Sequence, residues 1–311
     1  MHSTDAASST GCQTLHSEDF IHLEGGRHAI LMLHGLSGSA TEVMYVAKQL
    51  NRRGYTVRIP ILPGHQTSVR DLANTTWQAW YQTAENHFEA LAENYARVSV
   101  SGLCMGSVLA LYLASQKRER VTSVIAMSTT LAYDGYSMPW YSFLLPLVLY
   151  TPLKHVWSYK EGGNYGVKNP TIRKRVASTM AKTSTTFYDR TPATSVLEMR
   201  RMIRATKQRL GKVTAPALIL HAQEDEVASV RNADYLERHL GSSYTRKVIL
   251  DDCYHLITVD NQRALVAEEA ARFLSQQDER AKCESLVLQA RQSLSLDNRL
   301  SQRGQACGMA A

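Results

Sequence analysis

Cys104 stands in Gly102-Leu103-Cys104-Met105-Gly106, between an apolar run at Val98–Val100 and a helix-forming stretch from Ser107 to Ser115. A side chain at the joint between a strand end and a helix start sits on a sharp turn and projects from it. Glycines two residues to either side remove Cβ atoms that would collide there. The helix N-terminus favours an anion, so a sulfur at this place is favoured as thiolate. The chemistry this implies is nucleophilic attack on an acyl carbonyl.

Three further segments carry polar groups just beyond apolar runs. His34-Gly35-Leu36-Ser37-Gly38 follows the run His28–Leu33. His221-Ala-Gln-Glu224-Asp225-Glu226-Val227 follows Pro216–Leu220, and Asp252-Cys253-Tyr-His255 follows Thr245–Leu250. Asp225 is flanked by two other carboxylates, so its role is not fixed by type alone. Asp251 and Asp252 read as turn residues, Cys253 as a packing residue, and His65 and His221 as local hydrogen-bonding groups. His34 reads as a residue that shapes its loop.

The elements that must hold these groups alternate. Strands are expected at His28–Leu33, Tyr55–Ile59, Val98–Val100, Val121–Met127, Pro216–Leu220 and Thr245–Leu250. Helices are expected over Ala40–Arg53, stopping at Gly54, and from a Thr75 or Thr76 cap to about Tyr95. That second helix should bury Trp77, Trp80, Tyr81, Ala84, Phe88 and Leu91. Further helices follow near Ser229–Leu240 and Asn261–Ser275. Such alternation implies a mostly parallel sheet covered on both faces. It breaks between Leu131 and Leu210, a span too long for a simple connection. The expected organisation is a polar, disordered N-terminus at 1–17, a core of 18–130 and 211–276, an inserted basic cap at 131–210, and a polar tail at 277–311, helical to about Ser293. The run Trp140–Tyr150 is expected to form cap core, or to line an acyl pocket, rather than to anchor in a membrane.

The Gly-x-Cys-x-Gly turn resembles the nucleophile elbow of the α/β-hydrolase superfamily, with Cys104 where most members have serine. His34-Gly35 resembles the superfamily's oxyanion loop, which implies that the Leu36 and Met105 N–H groups form the oxyanion hole. The loop with Asp225 is similar to the acid loop, and His255 matches the base. The run Leu256-Ile-Thr-Val-Asp260 resembles monoglyceride-lipase and carboxylesterase sequences. The resemblance covers about residues 20–275, apart from the cap. It implies an α/β-hydrolase fold, a Cys104–His255–Asp225 triad and an acyl-S-Cys104 intermediate.

The second half of that chemistry stays open. Thiol-to-thiol exchange from a thioester is nearly thermoneutral, which favours an acyl or aminoacyl shuttle between carrier thiols. Cysteine variants of the superfamily include the aminoacyl shuttle transferases of nonribosomal peptide pathways. The alternatives are a carboxylesterase or thioesterase with cysteine in place of serine, and a non-catalytic binding protein of the same fold.

Composition narrows the setting. The 311 residues include five scattered cysteines, Cys12, Cys104, Cys253, Cys283 and Cys307, with no CxxC pair. That argues for a reducing, cytoplasmic location and against a disulfide framework or zinc site. No bound cofactor or metal is expected, although a substrate carried on phosphopantetheine is compatible. No apolar run reaches membrane-spanning length. The net charge is +7, and Lys154–Lys212 holds fourteen Lys/Arg against Glu161, Asp189 and Glu198, which is +11 and leaves −4 elsewhere. No nucleic-acid motif accompanies this charge. An acidic carrier protein docking on the cap is the expected partner.

Overall fold

The apolar runs that carry no polar/apolar alternation become the interior strands of a seven-stranded sheet. The computed structural model describes residues 19–137, 144–160, 163–182, 188 and 190–308. In chain order the elements are β1 (Phe20–Leu23), β2 (His28–Leu33), α1 (Met44–Arg52), β3 (Thr56–Pro60), α2 (Val69–Ala73), α3 (Trp77–Asn94), β4 (Arg97–Leu103), α4 (Met105–Lys117) and β5 (Val124–Met127). There follow α5 (Leu145–Leu149), β6 (Ser158–Lys160), α6 (Pro170–Lys182), β7 (Arg190–Pro192), α7 (Ala193–Lys207), β8 (Ala217–Ala222), α8 (Arg231–His239), β9 (Thr245–Leu250) and α9 (Arg263–Gly308). The strand order is β1-β3-β2-β4-β5-β8-β9. Only β1 runs antiparallel, on β3. This is an α/β-hydrolase fold, as expected from the sequence.

Burial explains the strand sequences. Every residue of β2 and β8 is buried, as a sheet covered on both faces requires. The polar residues admitted there are paired. His28 at the start of β2 hydrogen-bonds the Ser99 hydroxyl at 2.8 Å, and Ser99 continues to Ser123 at 2.7 Å. Helix α3 starts at Thr76, whose hydroxyl accepts the Ala79 N–H at 3.4 Å. It buries Trp80, Ala84, His87, Phe88 and Leu91, while Trp77 and Tyr81 are half-buried and meet Tyr112 edge-on.

Some elements differ from the sequence reading. The helix expected over 40–53 is split at Val43 into a 3-10 turn, Ala40–Glu42, and α1. The reason is Glu42, whose carboxylate is buried and accepts the Gly35 N–H at 3.0 Å, so the first turn follows the preceding loop. β1 escapes pattern reading because it is a four-residue edge strand, half-buried throughout. Helix α2 carries its own start signal in the sequence: Ser68 accepts the Asp71 N–H at 3.1 Å and donates to its carboxylate at 2.7 Å.

Between β5 and β8 no described strand joins the main sheet; β6 and β7 pair antiparallel with each other. Helix α7 returns to the core, and its Met199, Met202 and Ile203 join the cluster that holds Val108 and Leu109 of α4. Residues 138–143, which include the first four of the expected cap-core run, lie outside the described residues. Of the remainder, Leu149 is buried with Ala193 and Leu197, whereas Leu144, Leu147 and Tyr150 are exposed. The described residues from 271 onward belong to a separate unit and are helical to Gly308, beyond the end expected near Ser293.

Candidate active site

The turn at Cys104 has the geometry its glycines imply. Cys104 adopts φ 55° and ψ −113°, a conformation costing a non-glycine residue about 1–3 kcal/mol. The surroundings hold it there. Its N–H donates to the Met127 carbonyl at 3.0 Å, and its carbonyl accepts the Ser107 N–H at 3.2 Å as α4 begins. A Cβ on Gly102 would strike the Gly106 backbone, and one on Gly106 would strike the Leu33 and His34 carbonyls. The two glycines therefore let β4, α4 and the loop after β2 meet at one point. Cys104 is half-buried, with its sulfur 3.4 Å from the Thr130 hydroxyl.

His255 lies in the loop after β9. Its Nδ1 donates to Asp225 Oδ2 at 2.7 Å. Asp225 also accepts the Val227 and Ala228 N–H groups at 2.9 and 2.8 Å. Burial alone would lower the imidazole pKa, but Asp225 and then Cys104 outweigh it and hold His255 well above the usual histidine value. Burial would likewise raise Asp225, yet the histidine beside it keeps the carboxyl below its ordinary range. His255 Nε2 is buried, and with Nδ1 committed to Asp225 it is the ring nitrogen left for Cys104. Cys104 is the ionisable group that, after Asp225, acts most strongly on the ring.

The flanking acids separate clearly. Glu224 is exposed and pairs with Lys168 at 3.2 Å. Glu226 is buried and accepts the His255 backbone N–H at 3.2 Å, and burial pushes its pKa up. Asp251 and Asp252 accept from Gln262 and Asn261 at 2.7 and 3.1 Å. Cys253 is buried, its thiol raised by that burial and 3.7 Å from Gln262 Oε1. His221 donates to the Ala228 carbonyl at 2.7 Å.

The loop after β2 lies against the nucleophile turn; a Cβ on Gly35 would sit 3.7 Å from that of Cys104. His34 is buried and neutral, its pKa lowered to about 3 by burial. Its Nε2 accepts the Leu62 N–H at 3.2 Å, so Nδ1 carries the proton and donates to the Gly35 carbonyl at 2.9 Å. Among the described residues the Leu36 and Met105 N–H groups donate to no acceptor.

Several residues of the site were missed in the sequence. Asp260 accepts four backbone N–H groups, those of Lys168, Asn169, Tyr254 and Asn261, at 2.6–2.9 Å. It thus fastens the His255 loop to the segment before α6, and only its place in the run after His255 marked it. Ser128, at φ 44°, donates to the His255 carbonyl at 2.7 Å. Nothing in the sequence around Ser128 or Thr130 signals these contacts. Among the described residues no cluster of His, Cys, Asp and Glu has the makeup of a metal site.

Residues 25–262 match the family described as serine aminopeptidase, S33. The chain belongs to that family. Among curated relatives, the thermostable monoacylglycerol lipase of a Bacillus species is 26% identical over 252 residues, which is 81% of this chain and 92% of the relative. The carboxylesterase of Bacillus subtilis is 22% identical over 256 residues, 82% of this chain and 95% of the relative. Among solved structures, one from work on two metagenome-derived lipolytic enzymes superposes with a TM-score of 0.72 at 24% identity, covering 85% of this chain and all of the other. The family description names a serine, whereas this member has Cys104 at the turn between β4 and α4.

Proposed function

We propose that this protein hydrolyses carboxylic esters through an acyl-S-Cys104 intermediate. The observation that carries the reading is the Asp225–His255 pair, buried and charge-balanced, acting on a sulfur held at the strained start of α4. His255 takes the thiol proton or holds the thiolate as an ion pair, with Asp225 fixing the Nδ1–H tautomer. The sulfur attacks the ester carbonyl. The Leu36 and Met105 N–H groups stabilise the tetrahedral oxyanion. His255 returns the proton to the departing alkoxide, and a water activated by the same imidazole cleaves the thioester. The two Bacillus relatives, a monoacylglycerol lipase and a carboxylesterase, support ester hydrolysis over the transfer reading preferred from the sequence. The test is release of free acid from p-nitrophenyl esters and monoacylglycerols. Wild type should turn over at least one of them, and Cys104→Ala none. An active alanine variant would remove Cys104 from the role.

Sulfur at position 104 favours a second reading, acyl transfer to a thiol, including a phosphopantetheine thiol on an acidic carrier protein. Arg200 and Arg204 of α7 are exposed on one helix face and would steer such a partner, while Arg201 is paired with Glu198. A thiol acceptor added to the assay decides between the two. Hydrolysis predicts free acid at an undiminished rate; transfer predicts a new thioester that forms at the expense of acid and falls on charge reversal of Arg200 and Arg204 only when the thiol is carrier-borne.

A further inference from the structure

The loop that presents the Leu36 N–H is fastened one peptide at a time. Its own peptide, from Gly35 to Leu36, is held at the carbonyl end by His34 Nδ1–H. The peptides on either side have their own buried partners, neither of which the reaction uses. On one side the Gly35 N–H donates to Glu42 Oε2 at 3.0 Å. On the other, the Leu36 carbonyl accepts from His65 Nε2 at 2.6 Å.

Both partners are buried, Glu42 at 5% and His65 at 1% exposure. The loop is shaped around the carboxylate. A Cβ on Gly38 would land on the Glu42 carboxyl group, and one on Gly35 would come within 3.0 Å of its Oε2. The two loop glycines therefore make room for Glu42. The same contact breaks the helix after the loop at Val43, turning Ala40–Glu42 back toward Gly35. His65 is braced in turn: its ring packs edge-on against His34 and Trp80, with centroids 4.7 and 6.0 Å away.

We propose that Glu42 and His65 are positioning residues of the oxyanion hole, clamping the peptides on either side of the Leu36 N–H so that it stays aimed at the Cys104 turn. The physical need is general. An N–H stabilises an oxyanion only when it is already aligned, because realigning it during the reaction costs what the interaction returns. A loop of two glycines in five residues does not stay aligned by itself. Buried hydrogen bonds to a carboxylate and an imidazole supply the missing rigidity, and a bond at one end of a peptide polarises the other. This rests on the reading of Cys104 as nucleophile and Leu36 as oxyanion donor.

The experiment compares two reactions at the same sulfur. Acylation of Cys104 by a p-nitrophenyl ester passes through an oxyanion; alkylation of Cys104 by iodoacetamide does not. In Glu42→Ala and His65→Leu, acylation should fall about 10–100-fold, a share of what losing a whole oxyanion donor costs, while the alkylation rate stays within a factor of about two. Glu42→Gln keeps an acceptor for Gly35 and should recover most of the acylation rate. Gly38→Ala, which leaves Glu42 in place but drives its carboxyl group away, should reproduce the Glu42→Ala split and serves if the alanine variant fails to fold. Amide hydrogen exchange at Gly35 should speed up in Glu42→Ala and Gly38→Ala. Equal losses in both reactions, or unchanged acylation in a folded variant, would overturn the proposal. A wild type that is alkylated yet turns over no ester would overturn the hydrolase reading instead, and unchanged Gly35 exchange in Glu42→Ala would then overturn the clamp as well.

Discussion

The ends of β2, β4, β8 and β9 and the segment between β5 and β8 are built on opposite terms. At the strand ends, His34, Glu42, Asp225 and His255 are each no more than 5% exposed, and each has a named hydrogen-bond partner. In the intervening segment Leu147, Tyr150, Leu153 and Val156 are 56–83% exposed. The charge falls there too: +11 between Lys154 and Lys212, against +7 for the whole chain. The first region holds polar groups in place by burial and pairing. Between Leu147 and Val156 the second leaves several apolar side chains in water, although α7 of the same segment packs into the core. The difference teaches that polar groups at the strand ends are fixed by burial and pairing, whereas the exposed apolar side chains of residues 147–156 are fixed by neither.

The largest effects should come from breaking the buried side. His255→Ala should slow acylation of Cys104 by on the order of 10⁴-fold or more, and Asp225→Asn by less. Histidine moves the proton, whereas the aspartate fixes its tautomer and balances its charge. Single-turnover rates with a p-nitrophenyl ester give both numbers. Equal losses would mean that the pair acts as one unit, and a silent Asp225→Asn would shift the orienting role to Glu226, whose carboxylate already touches the His255 backbone.

Stability sharpens the contrast. Phe88→Ala, in the face α3 buries, should cost about 3–5 kcal/mol in denaturant unfolding. Val156→Ser, at 83% exposure, should stay within about 0.5 kcal/mol. A large loss at Val156 would show that the exposed segment is covered in solution and would end the comparison.

Much of this was legible in advance, for physical reasons. Interior parallel strands such as β2 and β5 read directly because both faces are covered and the run is almost wholly apolar. The sharp turn at Cys104 was legible from the glycines two residues to either side, and the Asp225–His255 contact from two polar loops that each follow a strand. Glu42, Asp260 and Ser128 were not. Each acts by binding backbone groups distant in sequence, and a side chain that pairs with the main chain leaves no trace in the residues it pairs with. β1 failed for a different reason: a short, half-buried edge strand has almost no pattern to read.

A smaller effect concerns pH. Burial lowers His34 to about 3 and also lowers His65, so the folded chain refuses protons that the unfolded chain accepts near its ordinary value of about 6.5. The stability these groups allow is complete above about pH 6.5 and is lost as pH falls from there toward the folded values. His255 has the opposite sign: its contribution is complete below about 6.5 and is lost as pH rises through its elevated folded value. Thermal unfolding should therefore shift down by several degrees between pH 6.5 and 4.5, and by less in His65→Gln. An identical acid slope in that variant would show that His65 is not held neutral.

The central claim is that Cys104 carries the acyl group and water removes it. Intact-protein mass spectrometry on rapidly quenched mixtures with a p-nitrophenyl ester tests it directly. The account predicts one acyl mass on the wild type, mapped to Cys104, that decays to free enzyme and free acid in buffer at the turnover rate. It predicts no adduct on Cys104→Ala. An acyl group on another residue would contradict the nucleophile, and an adduct on Cys104 that persists in water and leaves only when a thiol is added would contradict hydrolysis.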